Sequence, residues 1–371
     1  MARDLTPMQD LLNLEELKDS ARQVLVHACE RATPQLEAWN TLVELGWLGV
    51  SLPQESGGLD QPFAALATLY QELGRVLAPH DFVAVSICLG ALAGAALGGN
   101  AAPGGAAAKL IRQTLAGMAK PMYTTATTRD VRAAAGHLHG VIRNVLGAGD
   151  ATHLLLSFED SGPVVGLVAL PHPGVSCSRR PTWDLTRRLF DVVLEDVVLQ
   201  PEDIVFEGAA AASVLKLMGA QIDLAVACDA VGGSEAIFGE TLAYMQTRHQ
   251  FGRPIASFQA LKHRCADLAT EMCGSRALLM AGCEAVASLK GDWVSAAACG
   301  RLYTSEVYRK VTEEAVQLHG GVGFTWEHSC HRFLKRARLN DALGGTPEQR
   351  KDALAPALFH EAARSMPTVT R

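Results

Sequence analysis

The spacing of apolar residues changes twice along this 371-residue chain, and that change limits the folds open to it. Up to about residue 118, apolar side chains recur at three- and four-residue steps, as in "LVELGWLGV" and "LATLYQELGRVL", which is the period of a helix with one buried face. From about 119 to 207 the runs are short. "HLLLSF", "VVGLVAL" and "FDVVLEDVVLQP" are rich in Val and Leu and are broken by Gly, Pro and Asp, so they predict strands of a small sheet or barrel. After Pro201 the helical period returns and stays, and "FQALKHRCADLATEM" places Leu261, Cys265, Leu268 and Met272 on one face. The expected fold class is therefore α+β, with a helical domain over 1–118, a middle β domain over 119–207 and a helical bundle over 208–371. At 49% apolar, the chain has enough material for a core in each of roughly two or three domains. A parallel α/β sheet would need strands alternating with helices, and the pattern does not supply them.

Charge and composition narrow the partners. The net charge is −6 and no long basic run occurs, which argues against nucleic acid. The opening "MARDLTPMQDLL" has no cationic stretch followed by an apolar one, so no signal peptide is expected. The stretch "FVAVSICLGALAGAALGG", residues 82–99, is peppered with Gly and Ala and predicts a buried helix, not a membrane span. The cysteines form no Cys-x-x-Cys pair, so reduced thiols and a cytoplasmic location are expected.

Several familiar sites fail on inspection. "GGSEA" lacks the second glycine of a nucleophile elbow, so Ser234 reads as an ordinary helix residue. There is no phosphate-binding GxxxxGK[ST] loop, and Gly321-Val322-Gly323 follows no predicted strand. Glu327, His328, Cys330 and His331 in "WEHSCH" have ligand chemistry, but no second ligand cluster stands out, and a polar helix face accounts for them.

Two stretches remain. "RHQFGRPIASFQ" sets Arg248 and Phe251 beside a Gly/Pro turn, a grip suited to something flat and anionic. In "EAVQLHGGVGFTWEHSCHRFLKRARLNDALGGTPEQR", Gln317 lies one helical turn before Gly320 and Gly321, where missing side chains admit another backbone or a ligand. A surface ion pair and a helix C-cap are the plain readings of each stretch alone.

Together, and in this order, the two stretches resemble the C-terminal signatures of the acyl-CoA dehydrogenase family. "ELGWLGVSLPQESGGLDQPFAALATLYQELGRVLAP" is similar to that family's first domain, and "TWDLTRRLFDVVLEDV" to the end of its β domain. The resemblance covers nearly the whole chain. It implies a helical domain, a β domain and a four-helix bundle, with FAD as cofactor, an acyl-CoA thioester as substrate and an electron-transfer flavoprotein as acceptor. It also implies that Arg248 meets the pyrophosphate of an FAD whose flavin lies on a neighbouring subunit. Phe251 would pack on the adenosine half, and Gln259, Gln317, Gly320 and Gly321 would line its path, with Thr346 also near the cofactor.

The catalytic base is where the chain departs from the family. The family reaction removes a proton α to the thioester carbonyl, which takes a positioned carboxylate. In many members this is a glutamate directly before a Gly-Thr pair. Here Gly345-Thr346 is present, but Gly344 stands at the base position. Other members keep the glutamate on the first bundle helix, where this chain has Ile222, with Asp223 as a shorter candidate one step on. The family's Thr-Glu-Pro flavin loop is likewise missing from "PMYTTATTRDVRAAAGHLHGV", where Thr124, Thr125, Thr127 and Thr128 are the remaining candidates. A retained clamp beside eroded base and flavin positions is what one chain of a mixed assembly would show. Some bacterial members, including those of steroid side-chain breakdown, are α2β2 assemblies with the base on one chain only. The alternatives are a self-sufficient homo-oligomer using Asp223 and a flavin-free paralogue that binds acyl-CoA or scaffolds an assembly.

Overall fold

The computed structural model describes residues 13–30, 34–79, 81–97, 105–124, 130–134 and 136–365. Five helices come first: α1 (Leu14–Glu30), α2 (Pro34–Glu44), α3 (Phe63–Arg75), α4 (Asp81–Leu97) and α5 (Ala106–Leu115). The apolar face of α3 buries Leu66, Leu69, Tyr70 and Leu73, and α4 is apolar nearly all round because it lies inside the molecule, with Val85, Cys88, Leu89 and Leu92 fully buried. Residues 82–97 thus belong to a core helix, as their Gly/Ala texture predicts.

The chain then switches to strands: β1 (Pro121–Tyr123), β2 (Val131–Ala134), β3 (His137–Leu146), β4 (His153–Glu159), β5 (Pro163–Ala169), β6 (Val175–Arg180), β7 (Leu189–Val198) and β8 (Ile204–Glu207). They form an eight-stranded sheet in the order β6-β7-β3-β2-β4-β5-β8, with β1 pairing β4 in parallel. The predicted runs at 153, 164 and 190 fall in β4, β5 and β7. The remaining strands are shorter or more polar; β6, "VSCSRR", buries none of its side chains fully, which explains its weak signal.

Helices resume with the long α6 (Gly208–Thr247), followed by a small hairpin of β9 (His249–Gln250) and β10 (Arg253–Pro254). After it come α7 (Gln259–Ser288), α8 (Trp293–His319), α9 (Cys330–Ala342) and α10 (Pro347–Ser365). By length and composition α6 could cross a membrane. In this fold it is the central helix of the bundle, packed against α3, α7 and α8. Its glycines explain how closely it is packed. A Cβ on Gly232 would lie 1.9 Å from the Gln71 carbonyl oxygen of α3, and one on Gly233 would lie 2.4 Å from the Tyr308 hydroxyl of α8. The "GGSEA" stretch is therefore a helix–helix contact, with Ser234 buried beside it.

A buried ionic junction ties the three parts together. Arg336 of α9 is fully buried; it donates to Asp184 (2.8 Å), to Asp229 of α6 (2.7 Å), to Thr186 (2.6 Å) and to the carbonyls of Leu77 (3.1 Å) and Ala78 (3.0 Å). Arg187 and Asn340 complete the set by donating to Asp229 at 2.9 and 2.7 Å. Burial alone would raise the Asp184 carboxyl, but Arg336, the Thr186 hydroxyl and Arg187 outweigh it and hold its pKa below the usual value.

Candidate functional site

The end of the bundle where α6 stops carries the first candidate group. Arg248 caps α6, its own N–H donating to Tyr244, and the Ile255 N–H donates back to the Arg248 carbonyl at 2.8 Å. Between them the hairpin turns through Phe251 (φ 51) and Gly252 (φ 75), both left-handed, as a two-residue hairpin loop of the I′ kind requires. Glycine adopts that backbone freely, whereas phenylalanine is strained there. The fold nevertheless holds Phe251 in place with its ring 91% exposed. The guanidinium of Arg253 lies 4.2 Å over the Phe258 ring, and Phe251 meets the same ring edge-on at 6.1 Å.

A small apolar cluster of Met245, Ile255, Cys265 and Leu318 packs this hairpin against the end of α8. Arg248, Phe251, Gln259, Gln317, Gly320 and Gly321 are thereby gathered at one end of the bundle, all exposed. Gly320 caps α8 at φ 66, and nothing lies within 4 Å of a Cβ built on Gly320 or Gly321, so the double glycine presents open backbone. Behind it, His319 stacks on Tyr244 with ring centroids 4.3 Å apart, and its Nδ1 lies 2.8 Å from the Ala315 carbonyl. Burial pushes the His319 pKa below its usual value, which favours the neutral ring. Gln259 is engaged locally with His263 at 2.9 Å. The chemistry of this end, an exposed guanidinium, an exposed aromatic ring and bare glycine backbone, fits a phosphate-bearing, flat ligand such as FAD.

The second candidate is a cavity of about 300 Å³ between the β domain and the bundle. Tyr123, Val145, Leu146 and Leu189 line it from the sheet, Ile222 and Val226 from α6, Arg301 from α8, and Leu343, Gly344 and Gly345 from the turn after α9. The two positions at which the resemblance leads one to expect a glutamate, Ile222 and Gly344, therefore line the same space. Neither supplies an acid, and among the described residues the lining contains no Asp or Glu. Gly344 sits at φ 69, and a Cβ there would press on Arg350 Nη2 at 3.2 Å, so the turn disfavours a side chain at that point.

Asp223 does not line the cavity. One residue beyond Ile222 on the helix, it is rotated by about 100°, and its carboxylate receives Arg301 Nη1 at 2.7 Å, with Arg350 Nη1 at 3.6 Å. Arg301, 4% exposed, also donates to the carbonyls of Leu343 and Asn340. Arg350 donates to Leu343 as well; burial and the neighbouring Arg301 push its pKa down to about 10. Asp223 thus anchors two arginines to the turn that carries Gly344.

Two further assignments have structural counterparts. Thr346 is the N-cap of α10: its hydroxyl accepts from the Gln349 N–H at 3.3 Å, and the Gln349 side chain accepts from the Thr346 N–H at 2.9 Å, a reciprocal capping pair. Thr124 is buried and donates to the Leu155 carbonyl through its N–H at 3.0 Å, while Thr125, Thr127 and Thr128 lie outside the described residues. In "WEHSCH", Cys330 and His331 are buried and Glu327 is exposed, and among the described residues no group of His, Cys, Asp and Glu is placed to hold a metal.

Sequence reading missed the ionic junction. The signal was present: Asp229 interrupts the apolar run "LAVACDAVGG", where a lone carboxylate calls for a buried cation.

Comparison with known proteins agrees with this geometry. The model described as "Acyl-CoA dehydrogenase, N-terminal domain" matches residues 14–102, and "Acyl-CoA dehydrogenase, C-terminal domain" matches residues 223–359. Acyl-CoA dehydrogenase IpdE2 of Mycobacterium tuberculosis is 30% identical over 313 residues, covering 84% of this chain and 83% of its own. A 3-sulfinopropanoyl-CoA desulfinase of Paraburkholderia xenovorans is 28% identical, with 93% and 95% covered. Among solved structures, the ChsE4-ChsE5 complex from Mycobacterium tuberculosis superposes with a TM-score of 0.80 at 24% identity, over 96% of this chain and 98% of that one. With matching models at both ends, a relative covered over most of its length and the three-part fold, the chain belongs to the acyl-CoA dehydrogenase family.

Proposed function

We propose that this chain is the base-free subunit of a hetero-oligomeric, FAD-dependent acyl-CoA dehydrogenase. It would lend its bundle end to an active site whose catalytic carboxylate stands on a homologous partner chain. The observation that carries this reading is the cavity in which the two expected base positions meet, as Ile222 and Gly344, with no carboxylate among its described lining residues. The second support is that the exposed bundle end keeps groups suited to FAD. Bound in such a site, FAD would supply the hydride acceptor for the β carbon of the thioester. The residues of this chain would bind and orient: Arg248 would hold phosphate oxygens, Phe251 would pack on the adenosine half, and Gln317, Gly320 and Gly321 would let the cofactor lie against backbone. The proton at the α carbon would pass to the partner's carboxylate.

A self-sufficient enzyme using Asp223 is disfavoured by the Arg301 contact and by the direction of the side chain away from the cavity. The fold neighbour described as the ChsE4-ChsE5 complex is itself an assembly of two named chains, which supports a mixed partner for this one. The test is to purify the chain alone and with co-expressed homologous subunits, then record flavin absorbance and its bleaching by acyl-CoA thioesters, with electron-transfer flavoprotein as acceptor. Alone, the chain should be poor in flavin and inactive; the complex should hold FAD and turn over. Replacing one partner glutamate should abolish turnover while FAD stays bound. Robust thioester oxidation by the single purified chain would overturn the reading. So would a complex that never binds flavin, which would leave a scaffolding paralogue.

A further inference from the structure

The cavity that lost its base is bounded by a distortion of the sheet. Strand β3 pairs with β7, but the register slips between Ile142 and Val145. The two residues in the slip are Arg143 and Asn144, and Asn144 is left-handed at φ 61. Bulges of this kind re-aim side chains at the rim of a site. This one is fixed in place: the Asn144 N–H donates to Asp191 at 3.3 Å, and its side-chain oxygen accepts from Arg180 at 3.3 Å. Arg180 also lies 3.5 Å from Asp191, so that acid is already balanced. The result is that Arg143 lines the cavity mouth, exposed, without a hydrogen bond or ion pair to any described residue.

The charge balance of the lining gives the chemistry. Among the described lining residues there are two arginines and no acid, and Arg301 is already held by Asp223 and backbone carbonyls. Arg143 is therefore the one uncommitted cation among the described lining residues. The rest of the wall is largely aliphatic, from Leu146, Leu189, Ile222 and Val226. An apolar chamber with a single planar cation at its entrance favours a ligand built the same way.

We propose that this cavity is a binding site in its own right for an amphiphilic carboxylate, with an apolar chain or ring inside and the anionic head on Arg143. Its volume of about 300 Å³ lies at the lower end of small-molecule sites, roughly 300–1,000 Å³. The guanidinium fork matches a carboxylate with two parallel charge-assisted hydrogen bonds, whereas a neutral amide head offers one uncharged acceptor. The inference rests on the proposed function only in treating the cavity as non-catalytic.

The test uses the full chain, without partner or FAD, so that it can fail or succeed independently of the shared-site reading. Octanoate and octanamide serve as probes of equal length, and riboflavin as a probe for the flavin ring, each followed by titration calorimetry on the wild type, Arg143→Gln and Arg143→Lys. Octanoate should bind at least about ten-fold more tightly than octanamide, the size expected for one charge-assisted pair. Arg143→Gln should erase that preference while leaving the melting temperature unchanged, and Arg143→Lys should keep part of it. Equal binding of acid and amide, failure of octanoate to bind, or an unaffected Arg143→Gln would each overturn the proposal. Uptake of riboflavin in competition with octanoate would do so as well, by returning the cavity to flavin.

Discussion

Arg301 on α8 grips the Asp223 carboxylate of α6 at 2.7 Å, and does so from the wall of a cavity that the carboxylate itself does not enter. The contact makes Asp223 a structural anchor for the turn carrying Gly344. Asp223→Asn should cost about 1–3 kcal/mol in denaturant unfolding, because Arg301 and Arg350 lose their charged partner. Turnover of the assembled enzyme, corrected for folded protein, should stay within about two-fold of wild type. A fall of about 10²–10⁴-fold with unchanged stability would instead mark Asp223 as the base.

Arg248 offers a direct test of the cofactor clamp. If Arg248 meets the FAD pyrophosphate as proposed, truncation to alanine removes a charge-assisted hydrogen bond worth roughly 1.5–3 kcal/mol. In the assembled complex FAD retention should weaken about ten-fold or more, by fluorescence of released flavin, with no change in folding. The exposed position of Arg248 makes a folding defect an unexpected outcome. Unchanged FAD affinity would remove the clamp.

Restoring an acid at the family position should not restore activity. Gly344 is left-handed and its missing Cβ faces Arg350 at 3.2 Å, so Gly344→Glu strains the turn by about 1–2 kcal/mol. The expected result is a lower melting temperature and no thioester oxidation by the chain alone. Turnover by that variant would show that only the carboxylate was missing.

Arg336 neutralises two acids at once, Asp184 and Asp229. Arg336→Met keeps the volume but leaves those carboxylates buried and undercompensated, and should cost roughly 3–5 kcal/mol. Urea unfolding followed by fluorescence should show the midpoint fall accordingly. A loss below about 1 kcal/mol would mean that the junction relaxes or takes up water.

The same junction sets a pH dependence. The folded pKa of Asp184 lies below its unfolded value, near 3.9 for a free aspartate. Its stabilisation is thus fully present above the unfolded value and disappears as pH falls through the lower folded one. The stability gap between wild type and Asp184→Asn should be flat from neutral pH down to about 5 and close only below about 4. A gap that shrinks between neutrality and mild acid would place the titration elsewhere.

How much of this was legible in the sequence depends on how local the cause was. The three-part α+β fold follows from local pattern, because β4 and β5 are short Val/Leu-rich runs, β7 alternates in part, and the start of α7 carries a three-to-four-residue apolar spacing. The pairing of β3 with β7, and the slip that exposes Arg143, depend on partners about fifty residues away, and nothing in "HLHGVIRNVL" marks them. At the cavity, the absent glutamates could be read directly at Ile222 and Gly344. That both positions open on one chamber, and that Asp223 turns out of it toward Arg301, is a consequence of packing α6 against α8. Thr346 was assigned to a cofactor, and the structure gives it a capping role through Gln349, a pattern also visible in "TPEQ".

The position of Arg336 in the chain has a consequence for biosynthesis. Asp184, Thr186, Asp229 and the carbonyls of Leu77 and Ala78 all emerge from the ribosome before the side chain that neutralises and joins them. The earlier part of the polypeptide can form helices and strands as it is made, with Arg187 already there to pair with Asp229, yet without Arg336 it must bury two acids against one guanidinium. Tight closure of the molecule is therefore expected to wait for α9, and a nascent or truncated chain that stops short of it would carry an undercompensated acid pair and the bare surfaces of helical layers, a substrate for chaperones and proteases.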